Sequence, residues 1–173
     1  MTVFSVQESY SDEIYDSVLK SYMTTHFSET NYRIGQIEKG KIPMTDAPFS
    51  RYGRHGETLI GTSAGMVKAT TGYAFKRIER DSKQIAANFL NKSEIPHLAT
   101  KGRFRFYDRL LLGILTETPN LGSTIFSRLF AKSSIKTVFR FLDEETTLWE
   151  EIKIFARLPI LPFLKQVVKQ FFR

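Results

Sequence analysis

The 173-residue chain contains no cysteine, a single tryptophan and only three histidines. The first absence removes disulfide frameworks, thiolate nucleophiles and cysteine-based metal sites together, and it fits a reducing compartment. His26, His55 and His97 are widely spaced and lack acidic partners at ligand spacing, so no metal site is expected. Apolar runs such as LLLGIL at 110–115 fall far short of a membrane span, and the N-terminal MTVFSVQESYSDE lacks the basic and apolar regions of a signal peptide. A cytoplasmic protein, at most peripheral to a membrane, is the expectation. Also missing is any Gly-x-Gly-x-x-Gly after a strand, the turn that seats a dinucleotide pyrophosphate.

What is present is a globular composition, 42% hydrophobic and 25% charged, with enough chain for one modest core. The formal net charge of +7 is unevenly placed: residues 1–100 hold 12 Lys/Arg against 11 Asp/Glu, and residues 101–173 hold 13 against 7. In the second part the cations alternate with large apolar residues, as in RFRFYDRLLL and FLKQVVKQFFR. That pattern suits an anionic lipid surface better than a duplex groove, so no nucleic-acid partner is expected.

Thr2–Val6 is β-prone and reads as a strand. Ser11–Met23 carries Ile14, Tyr15, Val18, Leu19 and Tyr22 at helical spacing, with Asp12 and Glu13 suited to a first turn. Asn31–Met44 reads as a strand ending at Gly40 and Pro43, residues 45–57 as a loop, and Thr58–Gly61 as a short strand entering a small-residue turn and a long helix through Phe89. Beyond Pro96 five helices are predicted: Phe104–Leu115, Leu121–Phe130, Ile135–Phe141, Thr147–Ala156 and Leu161–Phe172. The expected class is therefore α/β, or α+β: a few strands followed by a helical layer.

Residues 60–75, IGTSAGMVKATTGYAF, carry the strongest chemical signal. Small residues between a strand and a helix let a ligand approach the backbone, and the helix N–H groups favour a phosphate. A tight packing turn needs the same residues, so both readings stand. Asp46 in IPMTD can act as an acid, an N-cap or a turn former, and Glu38 is a solvated charge by default. In FLDEETTLWEE (141–151), Asp143 can cap a helix start, which explains the acids at least as well as a catalytic carboxylate pair. The tail from Ile160 sets Leu161, Leu164, Val168, Phe171 and Phe172 opposite Lys165, Gln166, Lys169, Gln170 and Arg173, which suits either interfacial binding or packing on its own domain.

In order along the chain, VFS (3–5), YDSVLKSYM (15–23), YRIGQIEKGKIPMTD (32–46), IGTSAGMVKATTGYAF (60–75), FRFYDRLLL (104–112), FRFLDEET (139–146) and LPILPF (158–163) resemble the lycopene β-cyclase family. GTSAGMVKATTGY is the most specific part. The resemblance implies the C-terminal portion of a Rossmann-type FAD/NAD(P)-binding flavoprotein. Residues 1–100 would supply part of a substrate sheet and the last flavin contact; residues 101–173 would form a helical layer with a basic amphipathic tail. It implies that Gly61, Thr62, Ala64, Gly65, Thr71 and Gly72 meet FAD. Thr62 stands where many related flavoproteins have an Asp, which points to backbone contacts from Ala64 and Gly65.

The reaction so implied closes the ψ-end groups of lycopene, or of a related linear carotene, to β-ionone rings without net redox change. A protonated acid starts it, a reduced flavin stabilises the cation, and NAD(P)H is a candidate electron source. Glu38 and Asp46 are the carboxylates on family motifs that would face the site. The family's key Glu would align just ahead of Met1 and the Gly-x-Gly-x-x-Gly turn is missing, so the expectation is a fragment, from a truncated reading frame or one half of a split gene, inactive without the missing N-terminal flavin-binding half as its partner. A non-catalytic module binding membranes or apolar ligands is the alternative.

Overall fold

A computed structural model describes residues 10–27, 32–96, 98 and 100–172. It divides into two compact units, 1–41 and 42–173. In the first, α1 (Asp12–His26) opens with Asp12 and Glu13 where the helix dipole favours negative charge, and it buries no residue. Residues 32–41 follow without regular structure, their side chains exposed.

The second unit holds a 3-10 turn (Gly61–Ala64) and six helices: α2 (Phe75–Leu90), α3 (Gly102–Glu117), α4 (Leu121–Lys132), α5 (Ile135–Leu142), α6 (Leu148–Phe155) and α7 (Ile160–Phe171). The core joins α3 through α7: Leu110 and Ile114 meet Ile125, Leu129, Val138, Leu142, Ile154, Leu158 and Phe163. Apolar residues four apart on α3, α4 and α5 supply most of these contacts, with Ile154 from α6, Leu158 from the link and Phe163 from α7. Local chemistry fixes the ends. Ser134 caps α5 by accepting the Thr137 N–H, and Thr147 with Glu150 forms a reciprocal capping box on α6. Aromatic edges link the layer, with Phe155 lying 4.8 Å from Tyr107 and 5.8 Å from Phe163 between ring centroids.

The expected α/β class is overturned: among the described residues there is no strand, and the sole β pairing is an isolated bridge between Tyr52 and Thr58. The Rossmann-type architecture falls with it. Among the described residues, 32–44 form no strand, and Ile34, Ile37 and Ile42 are more than half exposed. The short strand at Thr58–Gly61 is replaced because Gly61, at φ +58, turns the chain into the 3-10 helix. Thr2–Val6 lies outside the described residues. The long helix expected to begin before Val67 starts instead at Phe75. Asp143, a candidate N-cap in the sequence, closes the end of α5, and Thr147 takes the capping role four residues later.

Candidate functional site

The segment from Gly61 to Tyr73 is folded by its own backbone. Gly65, left-handed at φ +69, donates its N–H to Thr62 O at 3.0 Å, and Met66 donates to Gly61 O at 3.0 Å. A second turn follows: Thr71 and Gly72 both donate to Lys68 O, and the Lys68 N–H reaches Tyr73 O at 2.7 Å. Gly72 has φ +69, a conformation that side-chain-bearing residues adopt at a cost. Thr71 Oγ1 accepts the Tyr73 N–H at 3.2 Å.

Between these turns alternate residues face inward. Ala64, Met66, Lys68 and Thr70 are all buried, so alternate residues turn inward from the 3-10 helix through the second turn. Lys68 Nζ lies 2.9 Å from Asp108 Oδ2 on α3, 3.4 Å from Glu144 Oε1 beyond α5, and 5.1 Å over the Phe104 ring. Thr70 donates to Asp108 Oδ1 at 3.0 Å. Arg77 on α2 reaches Glu144 Oε1 at 3.1 Å, Thr100 Oγ1 at 2.8 Å and Leu98 O at 3.0 Å. Glu144 sits at φ +61, a left-handed conformation uncommon outside glycine, and Lys101 holds it through backbone and side chain. Burial pushes the Asp108 carboxyl up from its ordinary value, against the pull of Lys68.

Two further buried carboxylates are paired. Asp81 on α2 meets Arg51, which also bonds Leu59 O and Pro96 O. Glu151 on α6 accepts from Arg103 at 3.1 Å, from Tyr107 Oη at 2.9 Å and from Thr146 at 3.1 Å. Burial, with Glu151 adding to it, pushes the Tyr107 hydroxyl up to about 12. Tyr107 also walls an apolar groove of about 160 Å³ with Leu110, Phe155, Ile160 and Phe163.

The residues marked in the sequence are distributed as follows. The inner face of Gly65 is covered by Phe49: a Cβ built there would lie 2.7 Å from its ring. Gly72 faces Ile42, 3.3 Å from such a Cβ. Ala64 is fully buried, and Thr71 is half-buried. Gly61 has nothing within 4 Å of its Cβ position, and Thr62 beside it is exposed. The bend is therefore open at Gly61 and Thr62, whereas the approach to Gly65 and Gly72 is taken by the protein's own side chains. Asp46 is exposed and ion-paired to Arg109 at 2.9 Å, and Glu38 is exposed in the first unit. Neither lies in an apolar tunnel within these units.

Sequence reasoning missed Lys68, Thr70, Arg77, Asp108 and Glu144 as one cluster. The 64-66-68-70 alternation was the available signal, masked because two of its four inward members are polar. Among the described residues no group of three or more His, Asp or Glu could hold a metal ion, and no helix is long and apolar enough to cross a membrane.

A family model described as "Lycopene cyclase protein" matches residues 1–168, nearly the whole chain. No curated protein and no solved structure matches it.

Proposed function

The chain belongs to the lycopene cyclase family, and from that premise we propose that it is the carotene-handling portion of a lycopene β-cyclase, an isomerase that acts together with a flavin-binding half, whether on the same or a separate polypeptide. The match over residues 1–168 carries this reading. The substrate is lycopene or a related linear carotene, and the products are β-ionone rings. An acid adds a proton to the terminal double bond of a ψ-end, the neighbouring double bond closes the ring on the resulting cation, and a different proton leaves. Atoms and electrons balance without oxidant or reductant.

Glu38 and Asp46 are the candidate acids on this chain. Asp46 is held by Arg109, so its proposed part is to position or relay a proton rather than to store one in an apolar site. FAD would meet the chain at the open Gly61–Thr62 surface, with the closed turns through Ala64, Gly65, Thr71 and Gly72 holding that surface rigid. When bound and reduced, by NAD(P)H or another donor, it supplies negative charge beside the cation. The aromatic groove bordered by Tyr107, Phe155 and Phe163 offers apolar surface of the kind a carotene needs.

The test is pigment analysis in a lycopene-accumulating host. Cyclic carotenes are expected when this chain and the flavin-binding half are expressed together, and not with either alone. Glu38→Gln and Asp46→Asn should each lower the cyclic fraction at unchanged protein level. Unconverted lycopene with both wild-type parts present and folded would overturn the reading.

A further inference from the structure

We propose that residues 42–49 form a strap that closes the glycine bend, and that its release uncovers Gly65 and Gly72 to the flat ring system of a flavin. The strap covers both of these left-handed glycines. A Cβ on Gly65 would lie 2.7 Å from the Phe49 ring, and one on Gly72 would lie 3.3 Å from Ile42 Cγ2, so both side chains rest directly on bare backbone. Between them stands Asp46, paired with Arg109 on α3 at 2.9 Å. One short segment therefore plugs two glycines and is tied down in its middle.

Little holds this cover in place. Among the described residues no backbone hydrogen bond joins 42–49 to any other part of the chain, and Pro43 and Pro48 have no N–H to offer. The Ala47 N–H donates to Thr45 Oγ1 within the strap itself. Phe49 is only half-buried and Ile42 is 56% exposed, whereas Ala64 and Met66 of the bend are fully buried. The Asp46–Arg109 pair is open to solvent, and exposed pairs contribute little. The bend does not need the strap for its shape, because Gly65 donates to Thr62 O and Gly72 to Lys68 O. An aromatic ring already lies on Gly65, so another flat ring fits where Phe49 withdraws. A cover held this weakly competes with such a ligand, and the affinity observed falls with the fraction of chains whose strap is closed. This inference rests on the reading that FAD meets the chain at the bend: Gly61 and Thr62 are open with the strap down, and Gly65 and Gly72 join them when it lifts.

The experiment is FAD binding to the full chain, read by quenching of flavin fluorescence, with the strap locked or free. Ile42→Cys with Gly72→Cys sets the two Cβ atoms 3.9 Å apart, within disulfide range, in a chain that has no cysteine of its own. The oxidised protein should bind FAD about tenfold or more weakly than the same protein after dithiothreitol. Arg109→Gln, which frees the latch, should tighten binding about two- to fivefold, the size of an exposed ion pair. Phe49→Ala should tighten it further, with circular dichroism unchanged. The proposal is overturned by equal affinity of the oxidised and reduced forms, by no FAD binding in any form, or by weaker binding of both Arg109→Gln and Phe49→Ala. Cyclic carotenes play no part in this readout. FAD affinity that follows the strap in a chain that yields no cyclic carotene with the flavin-binding half sinks the cyclase reading alone, and cyclisation with affinity blind to the strap sinks the strap alone.

Discussion

The helices α2 and α7 bury opposite chemistry. Of its 16 residues α2 turns Arg77 and Asp81 into the interior and leaves Phe75, Phe89 and Leu90 outside. By contrast α7 buries Phe163 and the uncharged Gln166 and leaves Leu161, Leu164, Val168 and Phe171 exposed. The difference teaches that burial in this chain follows the partner available rather than hydropathy. Three buried pairs carry most of the charge inside, Arg51 with Asp81, Lys68 with Asp108 and Arg77 with Glu144, whereas among the described residues the buried Asp143 has no such partner. Apolar side chains stay outside where none of the described elements packs over them.

The contrast breaks most sharply at Arg51. Arg51→Met would leave the buried Asp81 on α2 without its ion-pair partner, at a cost of about 3–5 kcal/mol in urea unfolding. Adding Asp81→Leu should recover much of that loss, since it is the stranded charge and not the lost pair that costs most. Equal destabilisation in the single and double variants would contradict the role given to the pair.

Next in size is the bend. Gly65→Ala imposes a side chain at φ +69 and drives its Cβ into Phe49, so a loss of about 1–3 kcal/mol is expected. Gly61→Ala also meets a positive φ but has open space around it, so it should cost less. Equal melting temperatures for the two variants would remove the close packing argued for Gly65.

The smallest effect sharpens the comparison through pH. Burial, aided by repulsion from Glu145, raises the Asp143 carboxyl. A raised acid favours the fold below its ordinary value, and that contribution is lost as pH rises through the raised value. Asp143→Asn should therefore raise the melting temperature at neutral pH and have little effect near pH 3, below the ordinary aspartate value of about 3.9. A stabilisation independent of pH would point to packing instead of charge.

The helical half was legible because its signals are local. Leu110 and Ile114, or Ile125 and Leu129, repeat at helical spacing, and Pro119, Ser133–Ser134 and Pro159 mark the breaks. The strands misled because β propensity in Ile34 and Ile37 says nothing about whether a pairing chain exists. The bend was half legible. Its small residues announced a tight approach, but not that Phe49 and Ile42 would occupy it. The buried ion pairs were invisible for a different reason: Lys68 and Glu144 lie 76 residues apart, and a charged residue carries no sequence mark of being inside. The same distance problem hid Arg109 from Asp46, 63 residues away.

The cyclase reading is tested most directly by the fate of one proton. In the proposed reaction, run on a linear carotene in deuterated water, the proton added at the start would stay on the ring and a different one would depart. One deuterium per ring closed is expected in the product, with no reducing equivalent consumed per turnover. Rings free of label, or consumption of one reducing equivalent for each ring, would contradict acid-initiated, non-redox cyclisation.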